Sequence, residues 1–143
     1  IFSFTEKHSN LKIDTDDIST SLFHYGEKIA EVHLDFLQRP YYKRCKIIGE
    51  KGVILWDTDV NKIKIFDVKQ KKWKIIHTKN NYRINSSRNN IMYIEELNYF
   101  LNCIKKNVQT FNTVIDGKKT LDIVLAMKKS SNLKKWLIYL TNL

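Results

Sequence analysis

Apolar and polar positions follow two different periods along this chain. From Lys28 to Gln38 (KIAEVHLDFLQ) they alternate, with Ala30, Val32, Leu34 and Phe36 on one face and Glu31, His33 and Asp35 on the other. That is the period of a strand with one buried side. Upstream, Ile1 to Thr5 and Asp17 to Tyr25 are rich in β-branched and aromatic residues, and a turn is expected at Tyr25-Gly26-Glu27. Pro40 is the only proline, and it is expected to end the Lys28 run because it cannot donate to a ladder. Tyr41 to Ile48, Val53 to Trp56, Lys62 to Val68 and Lys72 to His77 then read as further short strands, with Gly49-Glu50-Lys51-Gly52 as a turn. Hairpin-length gaps between most of them predict an antiparallel meander.

The period changes after Lys79. Asn80 to Asn90 is polar and reads as an exposed loop. Met92 to Lys106 then places Ile94, Leu97, Leu101 and Ile104 along one helical stripe, widened by Tyr93 and Phe100. Lys105 and Lys106 complement the helix dipole at its end. A second helix is expected from about Asp116 to Lys129, and the tail from Trp136 to Leu143 is apolar and β-capable. Strands followed by helices predict an α+β fold: an open, largely antiparallel sheet with two or more helices packed on one face.

Composition narrows the possibilities. The chain has 143 residues, 43 % of them hydrophobic, which suits a single domain with one ordinary core and argues against intrinsic disorder. No apolar run approaches the roughly 20 residues of a spanning helix, so no membrane association is expected. The four glycines, Gly26, Gly49, Gly52 and Gly117, include no G-x-G pair. A dinucleotide fingerprint and a P-loop are therefore both excluded. The sequence starts at Ile1, within strand-like residues, and reads as a piece of something longer. Cys45 and Cys103 lack zinc or disulfide-framework spacing. Both are expected to be small buried hydrophobes in a reducing, cytoplasmic setting.

The net charge of +10 raises nucleic-acid binding as one reading, since lysines can neutralise phosphates. Lys62 to Lys74 (KIKIFDVKQKKWK) interleaves lysines with aromatics, but the same alternation describes a half-exposed strand. No recognition-helix or RNP-type pattern is present. His33 and Asp35 share the polar face of their strand, where they suit an acid/base pair, two metal ligands that lack a third at matching spacing, or an interface or surface contact. His8, His24 and His77 stand without a motif. Gln38-Arg39-Pro40-Tyr41 is the most distinctive local string, because polar side chains at a strand end can reach a cleft and Arg39 can pair a carboxylate or phosphate. No G-x-S-x-G elbow supports a serine nucleophile.

Four ordered strings carry a resemblance. They are His33-Leu34-Asp35-Phe36-Leu37-Gln38-Arg39-Pro40; Ile47-Ile48-Gly49-Glu50-Lys51-Gly52-Val53-Ile54-Leu55-Trp56-Asp57; Met92-Tyr93-Ile94-Glu95-Glu96-Leu97; and Asp116-Gly117 followed by Leu121 to Ser130. In this order they resemble the C-terminal domain of the Gfo/Idh/MocA oxidoreductases, the glucose-fructose oxidoreductase and inositol dehydrogenase family. The likeness runs from about Ile13 to Leu133, and the Ile47–Asp57 string is its most specific part. It implies a domain built on a large open sheet that closes the substrate pocket and supplies an oligomer interface, behind a Rossmann domain that holds NAD or NADP.

The chain also departs from that pattern. It carries neither the glycine fingerprint nor the Glu-Lys-Pro motif with its catalytic lysine, since Pro40 follows Arg39. The family's Asp-x-Gly-x-x-His helix would lie before Ile1. The resemblance thus implies no catalytic, cofactor-binding or metal-binding residue in this chain, and it places Gln38, Arg39 and Tyr41 near the substrate side of the sheet. The expectation is a C-terminal piece of an NAD(P)-dependent dehydrogenase acting on a sugar or cyclitol-like substrate, inert by itself and self-associating through its open sheet face. A free-standing binding or scaffolding module and, more remotely, a basic nucleic-acid-binding domain are the alternatives.

Overall fold

In a computed structural model of the chain, residues 1–40, 42–57, 62–77 and 89–138 are described. Among them the order of elements is β1 (Phe2–Glu6), β2 (Ile18–Tyr25), β3 (Lys28–Asp35), β4 (Arg44–Gly49), β5 (Gly52–Asp57), β6 (Lys62–Asp67), β7 (Lys72–His77), α1 (Asn89–Lys106) and α2 (Val114–Leu133). The fold is α+β, and every strand pairing is antiparallel. Among the described residues there are, instead of one continuous ladder, two sheets, β1-β2-β3 and β4-β5-β6-β7. The first sheet and α2 fall in one compact unit, Ile1–Gln38 with Thr110–Leu143; the second sheet and α1 fall in another, Arg39–Gln109.

In the first unit the β2–β3 hairpin sets the register. Gly26, at φ 56, occupies the first position of a two-residue turn, where a II′ hairpin turn takes glycine. Tyr25 therefore opposes Lys28, and the ladder continues to Ile18 opposite Asp35. The longer β1–β2 connection is organised by Asp17, whose side chain has no exposed surface. Its carboxylate accepts from the backbone N–H of His8 (2.7 Å) and Ser9 (3.0 Å) and from the Ser9 hydroxyl. These donors hold the Asp17 carboxyl down at about 2, the His8 N–H contributing most.

Small hydroxyl side chains let α2 approach β1 closely. Ser3 and Ser21 are fully buried and share a 2.6 Å hydrogen bond. At the outer edge of β1, the Ser3 N–H donates to Ser130 Oγ (3.1 Å) and the Thr5 N–H to Ser131 Oγ (2.8 Å). Ser131 Oγ in turn donates to the Thr5 carbonyl. Beyond the helix, Leu137 and Ile1 exchange two backbone bonds of 2.8 Å. Residues 136–138 of the β-capable tail form no strand, and residues 139–143 lie outside the described residues.

Helix α2 starts in a capping box: Thr113 accepts from the Asp116 N–H and Asp116 accepts from the Thr113 N–H. It ends at Lys134 in a left-handed conformation. Both limits lie beyond the expected Asp116–Lys129 span, because the cap and not the apolar stripe defines the first turn.

In the second unit, β4 and β5 form a hairpin closed by Gly49 opposite Gly52. A β-carbon at Gly52 would lie 2.1 Å from the Phe66 carbonyl oxygen, so the β5–β6 approach requires glycine there. Helix α1 begins at Asn89, so Asn89 and Asn90 belong to the helix and not to the expected loop; the rest of that loop lies outside the described residues. Cys103 is buried as expected, but Cys45 is exposed because it sits on β4, an edge strand of its sheet. The stripe Ile94, Leu97, Leu101 and Ile104 is also exposed.

Candidate functional site

The end of β3 brings His33 and Asp35 together and ties the Gln38 backbone to them. The strand stops at Asp35 and not at Gln38. The reason is local: Asp35 Oδ1 accepts the backbone N–H groups of Leu37 (2.7 Å) and Gln38 (2.5 Å), turning the chain before Pro40. Its other oxygen faces His33 Nε2 at 3.2 Å, and His33 Nδ1 lies 2.8 Å from Thr20 Oγ1. A polar row, Thr20-His33-Asp35, therefore crosses two strands on one face and ends at the turn that carries Gln38.

Asp35 is held below the usual carboxylate range, chiefly by the Gln38 N–H, then by the Leu37 N–H and by His33, against the opposing effect of its burial. The Asp35 side chain is 11 % exposed and His33 48 %. A carboxylate that is itself anchored by backbone donors fixes the ring of its neighbouring histidine, and with Thr20 Oγ1 at the other nitrogen both ring nitrogens are engaged within the row.

Gln38 and Arg39 are both exposed. Gln38 ends one compact unit and Arg39 begins the other, and the peptide bond to Pro40 is cis. Tyr41 lies outside the described residues. Thr20 was not foreseen from sequence, although the signal existed. A two-residue turn at Gly26-Glu27 sets Tyr25 opposite Lys28, and counting back along the ladder puts Thr20 opposite His33.

Comparison with protein-family models, curated proteins and solved structures returned no match. The site must therefore be weighed on its own geometry.

Two further features compete with it. A shallow depression of about 320 Å³ beside α2 is lined by Asp122, Leu125, Ala126, Lys129, Leu137 and Ile138, none of them expected from the sequence as a site residue. On the second sheet, the register places Arg44, Lys46, Lys62 and Lys64 on one face, with Asp57 between Arg44 and Lys62. Arg44 pairs with Asp57 at 2.5 Å and lies 4.0 Å above the Tyr42 ring. Part of that basic face is thus engaged within the protein. Among the described residues, no group of three or more His, Cys, Asp or Glu could hold a metal ion. None of their helices is long and apolar enough to cross a membrane.

Proposed function

We propose that this chain is the substrate-side domain of an NAD(P)-dependent oxidoreductase that acts on a sugar or cyclitol-like substrate. The observation that carries the reading is the ordered set of strings, and local geometry supports it at two of them. The most specific string forms the β4–β5 hairpin, where Gly52 meets the Phe66 carbonyl too closely for any side chain. The His33–Pro40 string forms a strand end organised by Asp35, with Gln38 held by the same carboxylate. Hydroxyl-rich ligands suit such a place, because the Asp35 carboxylate can accept from a hydroxyl and the Thr20 hydroxyl and Gln38 amide can donate or accept.

No residue of this chain is assigned to hold a nicotinamide. In the intact parent the cofactor supplies hydride chemistry, while this domain binds and orients the substrate. The chain alone is inert, works in the cytoplasm and self-associates through its open sheet. The second reading, a free-standing binding module, is favoured by the breadth of exposed apolar surface, with Ile29, Leu34, Leu97 and Ile104 among the side chains uncovered.

The test is Arg39→Ala in a parent enzyme that joins this domain to a Rossmann domain. The expected result is about a tenfold or larger rise in KM for the polyol substrate with kcat less affected, as for lost ground-state binding. Unchanged kinetics would remove Arg39 from the site, and a parent with no polyol-dependent nicotinamide reduction would remove the oxidoreductase reading.

A further inference from the structure

The two edges of the first sheet are treated differently by the fold. Hairpin closure at Tyr25 and Lys28 directs the backbone groups of Lys28, Ala30, Val32 and Leu34 toward β2. The Phe36 N–H bond to the Asp17 carbonyl continues that alternation. Across β1 the same alternation points Ser3 and Thr5 outward, and Ser130 and Ser131 answer them. On β3 the outward set is Ile29, Glu31, His33 and Asp35. No backbone partner meets these groups among the described residues.

This edge carries few of the devices that blunt edge strands. It is eight residues long, contains no proline, and has its only lysine at the first position. Ile29 is 77 % exposed and Leu34 60 %. An uncovered strand of this kind is a template for another strand.

We infer that β3 pairs antiparallel with β3 of a second copy, about a two-fold axis through Val32. The axis stands perpendicular to the sheet, so opposed residues must share a face and both must belong to the outward-pointing set where they exchange hydrogen bonds. One register keeps Ile29 to Asp35 of both copies in the ladder and opposes no like charges. It sets Glu31 opposite His33 of the second copy, twice by symmetry, with Val32 against Val32 and Ala30 against Leu34. Shifting it one way sets Glu31 against Glu31, and shifting it the other way sets Glu31 against Asp35. Like charges directly opposite are destabilising, so both alternatives lose. The product is one six-stranded sheet whose open faces run on from copy to copy. This inference rests on backbone register and holds whether or not the domain serves an oxidoreductase.

Sedimentation of the full chain, with amide exchange read residue by residue, tests it. From micromolar to submillimolar concentration a monomer–dimer equilibrium is expected. As the dimer fills, exchange at the Glu31 and His33 amides should slow by about tenfold or more, while Ala30 and Val32 are protected at every concentration. His33→Glu opposes two carboxylates and should abolish the dimer; Glu31→Lys with His33→Glu should restore it. A chain that stays monomeric overturns the inference. So does a dimer in which the Glu31 and His33 amides exchange as fast as in the monomer, because association through the sheet face leaves the edge open. Should His33→Glu fail to fold, the amide pattern of the unaltered chain still decides the matter.

Discussion

Two acidic side chains with similar sequence surroundings do different work. Asp16 pairs with Lys128 at 2.8 Å, half in water, where an ion pair contributes about 0–1 kcal/mol. Asp17, its neighbour, is enclosed by the His8 and Ser9 donors and fixes the path of residues 7–17. Because its folded pKa, about 2, lies below the ordinary value, its stabilisation is complete above the usual carboxylate range, near about 4. It is lost as pH falls from there through about 2. Thermal melts of Asp17→Asn against pH should therefore start lower at neutral pH and decline less steeply below about pH 4 than those of the unaltered chain. Parallel curves would show that the carboxylate does not couple loop order to stability. Nothing local in Asp14-Thr15-Asp16-Asp17 distinguishes the buried member from its neighbours, since the donors come from residues eight and nine positions upstream. Gly52 was half legible: its turn follows from the Gly49-Glu50-Lys51-Gly52 spacing, but its close approach to Phe66 depends on a third strand.

Elements were easier to read than their ends. Alternation located β3, although both of its faces are exposed and not one buried as expected, and β-branched and aromatic content located β2. Strand β3 stops three residues before the pattern does, since Asp35 diverts the Leu37 and Gln38 amides from any ladder. Helix α2 begins earlier than its stripe because Thr113 and Asp116 cap each other. Thr113→Ala should cost about 1 kcal/mol, read as a lowered denaturant midpoint with an unchanged m-value. No change in midpoint would mean that packing of Ser130 and Ser131 on β1 alone sets the helix. The polar row at the candidate site was partly legible. His33 and Asp35 followed from period two, whereas Thr20 required the register that Gly26 imposes. The role of Ser130 and Ser131 was not legible, because they lie past the expected helix end at Lys129 and their hydroxyls find partners only once β1 is placed beside them.

At the scale of the molecule, charge and apolar surface act against each other. Each copy carries +10, so two copies repel at long range, and that repulsion is screened as ionic strength rises. The exposed pair formed by Glu31 and the second copy's His33 contributes only about 0.2–1 kcal/mol, so screening of the net charge dominates. Added salt should therefore shift sedimentation toward the dimer; a shift toward the monomer would show that attraction between opposite charges holds the copies together. The closure of β1 by Ser130, Ser131 and Leu137 has a consequence for the order of synthesis. These bonds join residues more than 120 positions apart, and contacts of such sequence separation form late in folding. On the ribosome, residues 39–109 emerge in full while β1 still awaits α2. A nascent chain arrested before Ser130 therefore presents the three-stranded sheet with both borders bare, and that interval is when the growing polypeptide has most need of a chaperone.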